Sequence, residues 1–506
     1  MNSNRLNSNR REFLFGSAAF LGALRVSGET KTGGAVPKGP ERLRLAVFSD
    51  IHVTGRDKTQ ENWERGLRKA DAFKADGVLV CGDLADWGLE QQLEVVAESW
   101  FKVFPDGRRS DGQPVANLLH YGDHDTSGYT YRGCWECAHA WPDEAEMKKH
   151  IIRYLDRKAI WERCFKEPWA PIVHKKVKGY DFILSHFTKG EKGNANGDNV
   201  PGLKEFLAAQ KLDPKKPFFY SQHRVPNPSA GGPWCWGRDD GQTVSLFSSK
   251  YPNCFVFCGH QHLSAAEEQA IWQGGFTAVA VPSLLYCCSL AGRENSTHAE
   301  WDSYFKSPAL TMTKQVGWGN TKGGLFVTVY DNAVVIRRWN AQDDATVGPD
   351  WIVPLPLGGE KPYSHAFRAA HDPAPQFPKD AAITWQKGHG KDCQGVEQDF
   401  LDVTFPIAVA TAATPRANDY EVQVEVLRCD VTSVIATYRV FSPLYGRALS
   451  VDVEPVTCSV PLKAIPEPGF QRVRIVVRPV NSFGRKGEPI RLDCTPELYR
   501  KFHEAK

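Results

Sequence analysis

The chain has 506 residues, 42% of them hydrophobic, with 62 Lys and Arg against 59 Asp and Glu and a formal net charge of +3 at pH 7. Length and apolar content suit a globular protein of two domains, and the balanced charge excludes the one-signed basic surface of a nucleic-acid-binding protein. The 13 cysteines are too dilute for a disulfide scaffold, and their odd number leaves at least one without an intrachain partner.

The first element is a processing segment over residues 1–30. Asn9-Arg10-Arg11-Glu12-Phe13-Leu14 resembles the twin-arginine export motif, and the apolar run from Phe13 to Leu24 is shorter than the roughly 20 residues a membrane span needs. That resemblance implies passage of a folded, metal-loaded protein through the twin-arginine machinery and a periplasmic or secreted product, with cleavage near Ser27–Gly28. No later segment is apolar enough to serve as a transmembrane anchor.

From Leu43 onward, six short apolar runs stop on or beside an acid or an imidazole. LRLAVFSDIH reaches Asp50 and His52, GVLVCGD reaches Asp83, and NLLHYGDHD reaches Asp123, His124 and Asp125. DFILSH ends at His186, PFFYSQH at His223, and CFVFCGHQH at His260 and His262. Short apolar runs bounded by turns read as buried strands. Open α/β sheets bind ligands just outside the carboxyl ends of their strands. Oxygen and imidazole donors without thiolates suit a hard or borderline divalent ion. The donors are too many for one closed tetrahedral site, so two adjacent ions are expected.

The blocks Asp50-Ile-His52, Gly82-Asp83, Gly122-Asp123-His124-Asp125, Ser221-Gln-His223 and Gly259-His260-Gln-His262 stand in the order of the calcineurin-like metallophosphoesterases, which the chain resembles over about residues 43–355. The resemblance implies an α/β fold, a four-layer αββα sandwich over 41–357, and a phosphate-ester substrate. It also implies two divalent ions of the manganese, iron or zinc kind. Metal one would rest on Asp50, His52 and His262, metal two on Asp123, His223 and His260, and Asp83 would bridge both. A phosphomonoester or phosphodiester would be hydrolysed by hydroxide held by the ions, with His124 facing the substrate. The competing expectation is a non-catalytic extracytoplasmic binding protein built on a degenerate form of the same domain. His186 competes with His223 for the fourth block; the helical GLKEFLAAQ before PFFYSQH and Pro226 after it favour His223.

Residue 123 is Asp where that family usually has Asn. The added charge is expected to tighten metal two, weaken it as a Lewis acid and soften its attraction for phosphate. The related purple acid phosphatases have glycine at the place of His52 and a tyrosine ligand at the place of Asp86, so the colour of that branch is not expected.

Long aromatic stretches follow the ligand blocks. Residues 126–170 carry Trp135, Trp141, Trp161 and Trp169, residues 227–240 carry Trp234 and Trp236, and residues 287–322 carry Arg293. Loops of this kind build substrate clefts or pack locally; Trp234, Trp236 and Arg293 are the candidate substrate contacts. Cys134 and Cys137 make a C-x-x-C near His139, and without a second such pair a loop-bracing disulfide or plain thiols are expected there rather than zinc.

Residues 358–378, rich in Gly, Pro, His and Ala, read as a linker. From 379 to 492, short strands such as DFLDVTFPIA, DYEVQVEVL and RVRIVVRPV predict an all-β sandwich that resembles a fibronectin type III domain, with 493–506 as a tail. The sandwich carries no catalytic constellation and reads as a structural cap.

Overall fold

The computed structural model describes residues 36–132, 141–188, 202–231, 239, 241–289, 292–296, 316–317, 319, 321–357, 359–392, 396–409 and 416–504. The export segment, Cys134, Cys137, Trp234 and Trp236 lie outside the described residues.

In chain order the first region contains β1 (Leu43–Phe48), β2 (Gly77–Val80), β3 (Ala116–Leu119), β4 (Ile172–Val177), β5 (Tyr180–Ser185), β6 (Phe218–Ser221), β7 (Cys254–Cys258), β8 (Ile271–Gln273), β9 (Thr277–Ala280), β10 (Gly323–Val329), β11 (Ala333–Asn340), β12 (Ala345–Thr346) and β13 (Trp351–Pro354). One sheet runs β12-β11-β10-β1-β2-β3, with β13 also paired to β11; the other runs β4-β5-β6-β7-β9-β8. β1, β2 and β3 are parallel to one another, as are β5, β6, β7 and β9. Parallel strands covered on both faces have to be apolar throughout, and GVLV of β2 and CFVFC of β7 are buried at every position. Register then sets the site. Phe48 lies opposite Val80 and Val80 opposite Leu119, while Ser221 lies opposite Phe257. The chain therefore leaves neighbouring strands at one level in each sheet.

The two sheets share a core that includes Leu45, Val47 and Leu79 from the first and Phe219, Val256 and Phe257 from the second. Helix Lys58–Ala72 covers the outer face of the first sheet. Asp57 caps it by accepting the Thr59 N–H at 2.8 Å, and Trp63, Leu67 and Ala70 recur on its buried side at helical spacing. Trp63 is fully buried beside Phe48, so its truncation to alanine would cost about 3–5 kcal/mol. On the second sheet, Leu207 and Phe247 from helices Leu203–Ala209 and Gln242–Lys250 join the shared core. The layers are thus α, β, β, α.

The C-terminal region holds β14 (Thr384–Lys391), β15 (Glu397–Phe405), β16 (Asp419–Arg428), β17 (Val431–Phe441), β18 (Val456–Pro461), β19 (Arg472–Val480) and β20 (Ile490–Cys494). They form two antiparallel sheets, β14-β15-β18 and β17-β16-β19-β20. Leu401, Val403 and Cys458 from one share a core with Val422, Val424 and Ile475 from the other, which makes this a β-sandwich.

Two expectations about its edges change. The stretch read as a linker contains a helix, His365–His371, whose Arg368 pairs with Glu268 and Asp372 at 2.9 and 2.8 Å. The tail from 493 finishes β20 and forms helix Pro496–Glu504, which buries Phe502 edge-on to Trp385. Leu498 and Tyr499 of the same helix pack partly buried against the sandwich core beside it. Among the described residues no helix is long and apolar enough to cross a membrane.

Candidate metal centre

Each donor sits on the turn just beyond a strand. The turns after β1 and β2 are zipped together: Asp50 N–H donates to Gly82 O at 3.1 Å, His52 N–H to Asp83 O at 3.0 Å and Val53 N–H to Leu84 O at 2.9 Å. Asp50, His52, Asp83, His260 and His262 have φ of 50°, 43°, 56°, 67° and 49°. This is the left-handed region, which costs an L-residue about 1–2 kcal/mol, and here it folds side chains back over the strand ends. Gly122 has to be glycine because a Cβ would fall on the amide nitrogen and Oδ1 of Asp83.

The turns assemble two groups that share one carboxylate. Asp50, His52, Asp83 and His262 form the first and Asp83, Asp123, His223 and His260 the second; in each, one donor atom per residue lies within 4.8 Å of the others. All seven side chains are buried. In the first group His262 Nε2 stands 3.2 Å from both Asp50 Oδ1 and His52 Nε2. In the second, His223 Nε2 stands 3.3 Å from Asp123 Oδ1 and 3.2 Å from His260 Nδ1. Four donors at zinc-like bond lengths around one ion would stand about 3.4 Å apart, so these separations fit donors gathered round an ion. Asp83 Oδ2 lies 3.6 Å from His52 Nε2 and 3.3 Å from His223 Nε2, and it is buried with no hydrogen-bond partner. Leaving a buried carboxylate oxygen unsatisfied is costly, and a bridging position between two ions would satisfy it.

The imidazoles are oriented from behind. His52 Nδ1 is 3.0 Å from Asp86 Oδ1, His223 Nδ1 is 2.8 Å from Cys81 O and His262 Nδ1 is 3.0 Å from Tyr286 O. Carbonyl oxygens only accept, so His223 and His262 carry their proton on Nδ1 and turn the Nε2 lone pair into the site. Burial lowers the His223 pKa, yet Asp83 and Asp123 outweigh it and hold that pKa well above the usual imidazole value, so an ion entering the site would displace a proton from Nε2 to use its lone pair. Burial raises Asp50, and His262, His223 and His52 together reverse it to below the usual carboxylate range. The site is a pocket of negative potential that favours cations. His124 belongs to neither group. Its N–H donates to Asp83 Oδ1 at 2.9 Å, its Nδ1 is 2.6 Å from Asp86 O, and it clusters with His52 and Asp86.

Several features were not legible beforehand. Asp125 accepts the N–H groups of Leu84, Ala85 and Gly122 at 3.0, 2.7 and 2.6 Å, which locks the GDHD turn to the turn after β2. Burial and the charge of Asp83 push it up to about 7. Asp86 braces His52, and Tyr286 lies against His262 with ring centroids 4.3 Å apart. The only sequence sign of Asp86 was its place three residues after Asp83.

The remaining candidates have the following surroundings. Arg224 Nη2 donates to Asp123 Oδ2 at 3.2 Å. Arg293 is not aimed at a phosphate: its Nε donates to Asp419 of the β-sandwich at 2.7 Å, and its guanidinium covers the Phe441 ring. His186 ends β5 but turns into the core among Tyr121, Trp161 and Trp169, with its Nδ1 accepting the Tyr121 N–H at 3.1 Å. Trp161 is likewise buried rather than lining a cleft, and Trp141 stacks on His150.

Parallel strands in facing sheets that end in paired Asp and His clusters define a metal-centred α/β domain of the phosphoesterase kind. Residues 43–264 match the family model for calcineurin-like phosphoesterase. Solved structures with a similar arrangement include a dimetal phosphatase from Danio rerio, at 9% identity and a TM-score of 0.37 over 62% of this chain and 99% of that one. A purple acid phosphatase from yellow lupin (Lupinus luteus) seeds matches at 13% identity and a TM-score of 0.39, over 63% of this chain and 55% of its own. The comparison with curated proteins finds no match.

Proposed function

We propose that the chain is a dinuclear-metal hydrolase of phosphomonoesters or phosphodiesters. The observation that carries this reading is Asp83 Oδ2, a buried oxygen without a hydrogen-bond partner that faces an imidazole of each group at 3.6 and 3.3 Å. The two groups would hold divalent ions of the manganese, iron or zinc kind, which supply Lewis-acid polarisation of a phosphoryl oxygen and acidify water when bound.

The chain's own residues do the rest. Buried Asp50, Asp83 and Asp123 neutralise most of the charge of two such ions, and what remains attracts an anionic ester. The Nδ1 of His124 donates to Asp86 O, which turns Nε2 toward proton exchange with the leaving oxygen. Burial lowers the His124 pKa, and Asp83, Asp123 and Asp86 together raise it above the ordinary value, which suits a proton donor.

Residues 1–30 are read as a twin-arginine signal on the strength of Arg10-Arg11, which places the mature protein in the periplasm or outside the cell. The sandwich is read as fibronectin type III-like, supported by its division into β14-β15-β18 and β17-β16-β19-β20. The decisive assay is hydrolysis of bis-p-nitrophenyl phosphate against p-nitrophenyl phosphate with added Mn(II), Zn(II) or Ni(II). Turnover of at least one is expected, and turnover of neither would favour a binding protein instead.

A further inference from the structure

The turn after β6 places Arg224 directly beyond His223. Its Nη2 reaches Asp123 Oδ2 at 3.2 Å; Asp123 is wholly buried, while the Arg224 side chain keeps 17% of its surface exposed. The guanidinium lies 5.2 Å from the centroid of the Phe187 ring. The same Oδ2 is 3.4 Å from His260 Nδ1, and Oδ1 is 3.3 Å from His223 Nε2. One carboxylate thus faces the donor nitrogens of the second group on one side and a permanent cation of the chain on the other. A guanidinium keeps its proton at any working pH, and it would repel a nearby divalent ion unless a carboxylate stood between them. Asp123 stands there.

We propose that Arg224 is a positioning residue for Asp123: it aims the carboxylate at the second metal group and balances its charge, so that the pair acts as one neutral ligand. The site then keeps its attraction for phosphate despite the acid at 123. This deepens the phosphoesterase reading and rests on it.

The test is a double-variant cycle on the full chain loaded with Mn(II), with inorganic phosphate as the probe and chelator competition reporting ion affinity. Arg224→Met should keep two ions but weaken phosphate binding by at least about tenfold, the loss expected when a buried charge loses its partner. Asp123→Asn should weaken the second ion, because the carboxylate that stands between the ion and the guanidinium loses its charge. The double variant should return both quantities to within about threefold of the wild type, since the two changes cancel. If Arg224→Met does not fold, Arg224→Gln keeps a donor for Asp123 without the charge and carries the same expectation for phosphate. Unchanged phosphate binding in either variant, or a double variant that merely adds the single effects, would overturn the pairing. A wild type that binds fewer than two ions would overturn the metal-centre reading along with it, whereas two ions with additive effects would overturn the pairing alone.

Discussion

Arg293 donates its Nε to Asp419 Oδ2 at 2.7 Å across the boundary between the phosphoesterase domain and the β-sandwich. Asp419 is fully buried and also receives Arg439 Nη2 on both oxygens, at 2.7 and 2.6 Å. Next to it, Asn295 exchanges hydrogen bonds with the Phe441 backbone at 3.1 and 2.7 Å. The same segment begins at the metal site, where Cys288 N–H donates to His262 O at 2.7 Å. One stretch of chain therefore joins a metal-ligand candidate to the second domain. Arg293→Met should destabilise the protein by about 1.5–3 kcal/mol, the range for a hydrogen bond to a charged group, because Arg439 still pairs with Asp419. Urea unfolding would measure it, and an unchanged midpoint would mean that the pair contributes nothing.

Metal content should be two ions per chain. Asp83 is the only residue common to both groups, so Asp83→Ala should drop the content below one ion. Elemental analysis after gel filtration reads this directly. A wild type with a single ion would contradict the shared-carboxylate geometry.

His124 lies outside the two groups, so His124→Ala should leave both ions in place. Losing a positioned general acid typically costs about 10²–10⁴-fold in rate. A p-nitrophenyl ester needs little protonation of its leaving group, so the loss should be far larger on an alkyl ester. Equal losses on both would assign His124 to holding phosphate.

Glu267 gives a pH dependence away from the metals. Burial raises its pKa from the ordinary carboxyl value of about 4.5 to about 7, despite lowering by the Gln269 N–H, Arg293 and Ser482. Between those values the folded protein binds more protons than the unfolded chain, so stability falls as pH rises from 4.5 to 7 and then levels. The loss is at most about 3 kcal/mol. Glu267→Gln should therefore be more stable than the wild type at pH 8 and nearly equal to it at pH 4. Parallel stability curves for the two proteins would show that Glu267 is not the group responsible.

The export reading is tested by changing Arg10 and Arg11 to lysine together. The protein should then accumulate in the cytoplasm. Normal fractionation of the variant would mean that the segment serves another purpose.

The strands that carry the site were legible because buried parallel strands must be apolar along their whole length, so β2 and β7 stand out as unbroken runs before Asp83 and His260. The ordered Asp and His blocks likewise announced their own chemistry. What could not be read were the contacts behind them. Asp86 against His52, Tyr286 against His262 and Arg224 against Asp123 each join residues far apart in the chain, contacts that no short motif encodes. His186 carried the same strand-end signature as His223; the helix before His223 and Pro226 after it separated the two, and the packing of Trp161 and Trp169 shows where His186 goes instead. The helix that buries Phe502 went unseen because its apolar positions, Leu498, Tyr499 and Phe502, are few among charged residues.

The seven donors are divided between the two facing sheets. Asp50, His52, Asp83 and Asp123 follow β1, β2 and β3, whereas His223, His260 and His262 follow β6 and β7. Neither sheet alone supplies a complete set for either group, so an ion bound there would add a cross-link between layers already joined by packing and by hydrogen bonds such as Leu284 N–H to Ser49 O and Phe187 N–H to Tyr121 O, both 3.0 Å. Cross-links of this kind would make the stability of the domain depend on free metal concentration, rising by RT ln(1 + [M]/Kd) for each site.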